Sequence, residues 1–587
     1  MCGIAGIVMR DGSIPDPAVL DRLETALFHR GPDMSGRWVD GACALLSTRL
    51  AIIDVATGRQ PLFGPGRTVL VANGEIYNNP ELRAELNDTA FRTGSDCEPP
   101  VHLYAKLGVG YAERLRGMYA IAIFDPDRSR LVLSRDPFGI KPLYYVENER
   151  FFAFASEIQA LLKAGLARPA VAPARRAELM QLKFTTGAET IIPGVMRVLP
   201  GETLAVERGR VVERRRRQPL PASPPLRIGR RDAVEKLDAV LADSVALHLR
   251  SDVPYGLFLS GGIDSSALLA LMRRFSGQPV QAISVGYADA GAADESREAE
   301  RIAALAGADF QRIEMGPDDF WALAPRIAAA IDDPTTDAAV LPTFMLGRAA
   351  RRAGLKVTLC GEGADELFGG YGRYRRGRAP WRWLYRKARS RGVFDAFEPM
   401  GRAIGDWRVG LNEAEARESS PAWSPLQKLQ AVDCTEWLSN DLLGKLDRSL
   451  MAHGVEGRTP FVDPVVAKFA FGLPDRLKVG PRLGKVLLRD WLHRALPGAH
   501  PYARKRGFNP PVGRWMAGRK QELARLVRDA SGIAEMAPPD AVDAVFADPE
   551  RHAQPAWSLL FYALWHSHHI LGTPCDGTID QVLMQRA

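Results

Sequence analysis

Between residues 206 and 231 the chain crowds nine arginines (Arg208, Arg210, Arg214, Arg215, Arg216, Arg217, Arg227, Arg230 and Arg231) among four prolines (Pro219, Pro221, Pro224 and Pro225). Proline cannot continue a helix or a central strand, and clustered like charges resist burial, so this stretch limits where one core can end and another begin. It is expected to be a basic linker over 206–231, separating a region 2–205 from a region 232–573, with 574–587 as a loose tail. The 587 residues agree with two or three domains at roughly 150 residues each.

The two sides differ in texture. Upstream, short apolar or alternating runs at Gly3–Val8, Ala42–Ser47, Thr68–Ala72, Tyr119–Phe124 and Leu131–Ser134 read as strands, with turn chemistry at Asn73-Gly74 and Asp136-Pro137. Downstream, strands alternate with helices: Tyr255–Leu259 precedes Ala267–Phe275, Val280–Val285 precedes Ser296–Ala306, and Lys356–Cys360 follows Phe344–Ala353. That alternation predicts a parallel sheet covered by helices. Beyond about residue 375 the chain reads as mostly helical, as in the spacing of Trp557, Leu560, Phe561, Leu564 and Trp565.

Composition narrows the class. With 46% hydrophobic and 25% charged residues the chain is globular, and no apolar run approaches the ~20 residues of a membrane span. Neither a membrane partner nor a signal peptide is expected, which makes the cytoplasm the expected compartment. The six cysteines (Cys2, Cys43, Cys97, Cys360, Cys434 and Cys575) show no Cys-x-x-Cys spacing, so reduced thiols are expected. The net charge of +8 suits phosphate-bearing ligands. The arginine segment lacks interleaved aromatics, so no nucleic-acid partner is expected.

Cys2 follows a methionine of the kind removed before small residues. A terminal cysteine carries a nucleophile and a base together, because an α-amino group titrating near ~7.7–8.0 can accept the thiol proton. Taken singly, the neighbouring signals have ordinary readings: Asn73-Gly74 as a hairpin turn, Arg49 as a strand residue, and Asp96 as a surface acid. In order, however, Cys2–Val8, His29–Asp33, Thr48–Asp54, Asn73–Asn78, Gly94–Glu98, Arg135–Leu143 and Phe154–Ile158 resemble the class II glutamine amidotransferases. The resemblance implies an α+β N-terminal-nucleophile glutaminase fold of stacked antiparallel sheets. It implies Cys2 as nucleophile, Asn73 and Gly74 as oxyanion hole, and a glutamine pocket of Arg49, Ile52, Ile53, Glu75 and Asp96. Cys43 and Cys97 read as ordinary small side chains, and Arg135–Leu143 as structural.

Ser260-Gly261-Gly262-Ile263-Asp264-Ser265-Ser266 follows an apolar strand and opens a helix, an arrangement in which free N–H groups bind phosphate. It fits neither the P-loop nor the dinucleotide fingerprint, and could also be a plain Ser/Gly helix cap. It resembles the pyrophosphate loop of ATP-pyrophosphatase enzymes. The acid- and glycine-rich stretch Thr358–Tyr371 resembles a motif of the glutamine-dependent asparagine synthetases. Further matches to that family are Asp332-Asp333-Pro334, Asp337, Pro342-Thr343, Asp447-Arg448, Met451–Asp463 and Lys505–Phe508.

This second resemblance implies an α/β ATP-pyrophosphatase domain with a helical carboxyl-terminal part. It implies ATP and Mg²⁺, with ATP held at Ser260, Gly261, Gly262, Asp264, Ser265, Ser266, Val285, Cys360 and Gly361. Asp264 and Asp365 would carry the metal, Glu362 would serve adenylate formation and ammonia attack, and Lys505 would neutralise phosphate charge. His453 reads as structural, and His566, His568 and His569 fit no recognised zinc spacing. The sequence departs from the family at Cys360, usually Ser, at Asp333, usually Glu, and in the basic run Glu213–Gln218.

The expected function is glutamine-dependent synthesis of asparagine from glutamine, aspartate and ATP, with AMP and pyrophosphate released and ammonia passed internally. The family also suggests a homodimer. An enzyme of the same mechanism acting on a sugar acid, peptide or other carboxylate is the alternative, because motifs for glutamine and ATP do not read the acceptor.

Overall fold

The computed structural model describes residues 2–288, 295–376, 389–503 and 510–585. The amino-terminal half begins with β1 (Cys2–Met9), β2 (Met34–Asp40), β3 (Cys43–Arg49), β4 (Leu62–Phe63), β5 (Val69–Ile76) and β6 (Gly117–Asp125). It continues through β7 (Arg130–Arg135), β8 (Tyr144–Glu147), β9 (Phe151–Ala155), β10 (Val195–Arg197), β11 (Glu202–Glu207) and β12 (Arg210–Arg216). They form two six-stranded sheets, in orders β10-β8-β9-β1-β3-β2 and β12-β11-β7-β6-β5-β4, with antiparallel neighbours throughout.

The alternation within β1 explains the stacking. Ile4 and Val8 enter the core between the sheets with Leu45, Val71, Ala122, Leu133 and Phe154. Ala5 and Ile7 point the other way, against Leu20 and Leu23 of the helix Pro17–Leu27. A strand buried on both faces needs apolar residues of both parities, as its sequence supplies. On the outer face of the second sheet, Ile121 and Ile123 pack with Val101 and Leu103 of the helix Pro99–Leu107.

Two expectations change here. Arg210–Arg216 is not linker but the edge strand β12, paired with β11. Only Val211 packs on the core, while Arg214 lies over the Tyr145 ring and donates to its hydroxyl at 2.9 Å. An edge strand needs cover on one face only, and arginine stems lie along apolar surface with their charge in water. Asn73-Gly74 is not a turn; it lies inside β5, with Gly74 opposite Tyr119 of β6. A Cβ at Gly74 would stand 2.2 Å from the Met118 carbonyl oxygen, so the glycine serves a close backbone approach.

The second half is built on a parallel sheet of β13 (Tyr255–Phe258), β14 (Gln281–Tyr287), β15 (Asp309–Met315), β16 (Val357–Leu359) and β17 (Glu456–Arg458), ordered β15-β14-β13-β16-β17. Helices Ile263–Phe275 and Arg230–His248 join the same apolar core as Leu257 and Leu259. The remaining chain is mostly helical, and Trp557, Leu560, Phe561, Leu564 and Trp565 are all buried along Ala553–His569. The expected loose tail instead carries a helix, Ile579–Met584, capped by Thr578 and Gln581 and anchored by buried Ile579 and Val582. Among the described residues no helix is long and apolar enough to cross a membrane, and the six cysteines are free thiols.

Candidate functional site

The amino-terminal cluster is assembled by strand register. Cys2 opens β1 opposite Arg49 of β3, and Asn73 and Gly74 come from β5 in the facing sheet. The Cys2 N–H donates to Asn73 Oδ1 at 3.1 Å. That contact fixes the Asn73 amide, whose buried Nδ2 has no hydrogen-bond partner among the described residues. Burial raises the Cys2 thiol, opposed by nearby positive charge that includes Arg49.

Arg49 Nη2 donates to the carbonyls of Ile53 (2.9 Å) and Asp54 (2.8 Å), which folds the segment Ile52–Asp54 around the guanidinium. The Ile52 carbonyl accepts the Asp252 N–H at 3.0 Å, so the carboxyl-terminal half also fixes this loop. Glu75 and Asp96 are buried nearby, and Asp96 Oδ2 accepts the Ile76 N–H at 2.6 Å. Burial, with Asp96 beside it, pushes the Glu75 carboxyl well above the usual carboxylate range; burial raises Asp96 too. A pocket with two such acids can take up a cation, since an incoming positive charge favours their ionised forms.

Two residues given no role from sequence belong to this cluster. Gln60 is locked to the Ala72 backbone by bonds of 3.0 and 2.7 Å, and its Nε2 lies 3.9 Å from Cys2 Sγ. Arg458, on β17 of the other half, reaches Glu75 Oε2 at 3.4 Å. Gln60 has no local sequence signal, and the family match around Arg458 does not tie it to the amino-terminal half; only the folded sheets bring them near.

In the carboxyl-terminal cluster, Ser260–Gly262 leads from β13 into the helix Ile263–Phe275. Gly261 has φ +70°, and a Cβ there would stand 2.8 Å from the Ala299 nitrogen. Ser265 Oγ lies 3.2 Å from Ser260 Oγ, which holds the loop over the helix end, and the Ser266 hydroxyl is buried without a hydrogen-bond partner among the described residues. Val285 lies buried on β14, opposite Ile313. After β16, Gly361 comes so close to Asp264 that a Cβ on it would sit 3.1 Å from that residue's Cβ. The Cys360 thiol donates back to the Thr358 carbonyl at 3.7 Å, and the Cys360 N–H donates to the Arg458 carbonyl at 2.8 Å. Burial raises the Glu362 carboxyl, with Lys445 pulling it down and Asp264 pushing it up.

The sequence reading missed the residue that joins these acids. Lys485 Nζ lies 2.6 Å from Asp264 Oδ2 and 2.8 Å from Asp365 Oδ1, and its left-handed backbone (φ +55°) caps the helix Val486–Ala495. Lys505, the lysine expected from the family motif, lies outside the described residues. Two carboxylates converging on one ammonium form a hard-oxygen set that fits Mg²⁺, which takes few protein carboxylates and completes its shell from phosphates and water. His453 packs edge-on against Phe344 and is pushed down to about 4 by burial, as befits a neutral core imidazole.

Comparison with known proteins finds a family match for each half of the chain. Residues 1–216 match the glutamine amidotransferase domain family and residues 236–567 the asparagine synthase family. A Mycobacterium tuberculosis relative, provisionally named a glutamine-hydrolysing asparagine synthetase, is 32% identical over 97% of each chain. Glutamine-hydrolysing asparagine synthetase 1 of Bacillus subtilis is 29% identical, again over 97% of each chain. Asparagine synthetase B of Escherichia coli is 29% identical over 90% of this chain and 86% of its own. The chain belongs to the asparagine synthase family and carries a glutamine amidotransferase domain ahead of the synthase region.

Proposed function

We propose that the protein is a glutamine-dependent asparagine synthetase whose two halves make and use ammonia. The observation that carries this reading is one chain holding both a buried, partnerless amide donor beside Cys2 and a lysine drawing Asp264 and Asp365 together below a phosphate-type loop.

In the first half, with Met1 removed, the Cys2 amine takes the thiol proton and the sulfur attacks the glutamine side-chain amide. Asn73 Nδ2 and the Gly74 N–H stabilise the oxyanion, which preorganised donors do best where water is excluded. Arg49 holds the α-carboxylate, Glu75 and Asp96 the α-ammonium, and the backbone of Ile52 and Ile53 lines the pocket. Ammonia leaves as the thioester forms, and water then releases glutamate.

In the second half, the aspartate side-chain carboxylate attacks the α-phosphorus of ATP and pyrophosphate departs into the Ser260–Ser266 loop. Ser260, Gly261, Gly262, Ser265 and Ser266 line the phosphates, Val285, Cys360 and Gly361 the nucleotide, and Lys485 and Lys505 balance charge. Asp264 and Asp365 would hold Mg²⁺, which would supply charge neutralisation on the polyphosphate. Ammonia attacks the acyl carbon of the adenylate, AMP leaves, and Glu362 takes the surplus proton to give the neutral amide.

A product assay with aspartate, Mg-ATP and either glutamine or ammonium tests this reading. Asparagine and AMP should form from both nitrogen sources, and Cys2→Ala should lose only the glutamine-dependent reaction. Glutamine hydrolysis with no AMP from aspartate would move the assignment to another carboxylate.

A further inference from the structure

Burial works against the chemistry asked of Cys2. The nucleophile is the thiolate, yet Cys2 is buried and burial raises its thiol. A buried negative sulfur is stable only where donors surround it. The terminal α-amine and Arg49 lower the thiol by their charge, the Leu50 N–H just past β3 lowers it further, and Glu75 raises it. The Cys97 thiol stands within electrostatic reach and is itself raised by burial. Arg49 spends its hydrogen bonds on the carbonyls of Ile53 and Asp54.

Gln60 brings a further donor. The register that sets Leu62 opposite Leu70 and Phe63 opposite Val69 continues to Gln60 opposite Ala72. Pro61 has no N–H for that ladder, and the Gln60 side chain takes the place of backbone. Its Oε1 accepts the Ala72 N–H at 2.7 Å, and its Nε2 donates to the Ala72 carbonyl at 3.0 Å. These two bonds fix which way the amide faces, because a flipped amide would set oxygen against carbonyl and nitrogen against N–H. Nε2 is therefore the atom on the Cys2 side, 3.9 Å from Sγ.

One Nε2 hydrogen serves Ala72; the other, on a buried side chain, has the sulfur as its neighbour. Locking Ala72 alone would leave that second N–H buried and unused, which is costly. The Gln60 main chain is equally fixed, since a Cβ on Gly36 of β2 would run into its carbonyl oxygen. Ala72 precedes Asn73, whose Oδ1 accepts the Cys2 N–H, so one carboxamide ties the nucleophile to the strand that carries the oxyanion donor.

We propose that Gln60 is a catalytic residue of the glutaminase half, its Nε2–H donating to the Cys2 sulfur whenever that sulfur carries negative charge. The proposal rests on the glutaminase reading above and adds a donor on the nucleophile, separate from the Asn73 and Gly74 donors on the substrate oxygen. The sulfur is negative twice. First the α-amine takes the thiol proton and hands it to the departing amide nitrogen as the C–S bond forms. Later the amine takes a proton from water and hands it to the sulfur as the C–S bond breaks. Gln60 transfers no proton at either point. A neutral thiol holds such a donor at long range, and an ionised acceptor draws it closer.

The test follows alkylation of Cys2 by iodoacetamide across pH in the full-length protein with Met1 removed, as wild type and as Gln60→Met. Thiolate formation in the variant should move up by about one to two pH units, the value of one hydrogen bond to a charged group. Near neutral pH its kcat for glutamine hydrolysis should fall about ten- to hundredfold. The KM for glutamine and the rate of ammonium-dependent AMP formation should stay within about threefold. Loss of the Ala72 lock alone would admit water and move the thiol down, so only an upward move reports the donor. A profile that stays put or moves down, with glutamine hydrolysis abolished in Cys2→Ala, overturns the role of Gln60 and leaves the glutaminase reading standing. Hydrolysis that persists in Cys2→Ala overturns both. The wild type gives a check that needs no variant at Gln60. With glutamine side chains labelled by nitrogen-15, one carboxamide proton should shift with the same pH midpoint as alkylation and stop shifting in Cys2→Ala. Absence of such a carboxamide overturns the proposal even where Gln60→Met fails to fold.

Discussion

Glu366 shows what a single buried acid costs. It lies next to Asp365, accepts the Tyr371 hydroxyl at 2.5 Å on Oε1, and has no hydrogen-bond partner for Oε2 among the described residues. Burial, with Asp365 second, lifts its carboxyl from 4.5 to about 7. Between those values the folded chain keeps a proton that the unfolded chain has lost, so stability is full below 4.5 and falls as pH rises through 7. Glu366→Gln keeps the acceptor for Tyr371 and removes the titration. Denaturant unfolding should show the wild type losing up to about 3 kcal/mol relative to this variant across that window. Glu75 gives a second prediction at this scale. Burial and the neighbouring Asp96 hold its carboxyl well above 4.5, so binding the ammonium of glutamine should release up to about one proton. Calorimetry of glutamine binding to Cys2→Ala in buffers of different ionisation enthalpy measures that release. Binding should tighten as pH rises, and a heat independent of buffer would remove Glu75 from the ammonium pocket.

At the scale of elements, backbone conformation and close approach decide what substitution allows. Gly261→Ala places a methyl group 2.8 Å from the Ala299 nitrogen at a φ of +70°, so the phosphate loop must deform. The variant should lose ammonium-dependent AMP formation by about a hundredfold or more, the cost of displacing preorganised donors, while glutamine hydrolysis persists. Elements were legible in the sequence wherever local pattern decided them. The two buried faces of β1, Ile4 and Val8 against Ala5 and Ile7, wrote an apolar run, and the helical spacing from Trp557 to Trp565 placed a buried helix. Patterns failed where a neighbour decided. Asn73-Gly74 has turn chemistry but serves a close approach of β6, and the arginines of β12 tolerate an edge because one face stays wet. Lys485 escaped notice because its partner Asp264 is 221 residues away in sequence and no local spacing marks the pair.

Across the whole molecule, the two halves share buried charge. Arg30 in the first half contacts the Cys2 carbonyl at 3.2 Å and the carboxylates of Glu157 at 2.7 Å and Asp447 at 2.9 Å, the last from the second half. Arg458 in the second half pairs with Glu456, donates to the carbonyls of His248 and Arg250, and reaches Glu75 in the first. Removing one member of such a network strands the others without water. Arg458→Met should therefore lower unfolding free energy by about 3–5 kcal/mol, read from the denaturant midpoint. A change within about 0.5 kcal/mol, usual for surface substitutions, would show that this contact holds nothing together. The central claim, that one half supplies the nitrogen the other half consumes, is tested most directly with glutamine labelled by nitrogen-15 in its side-chain amide. Incubated with aspartate and Mg-ATP, the wild-type protein should place the label in the asparagine amide with one AMP formed per asparagine. Labelled ammonium accumulating with neither AMP nor asparagine would contradict the account.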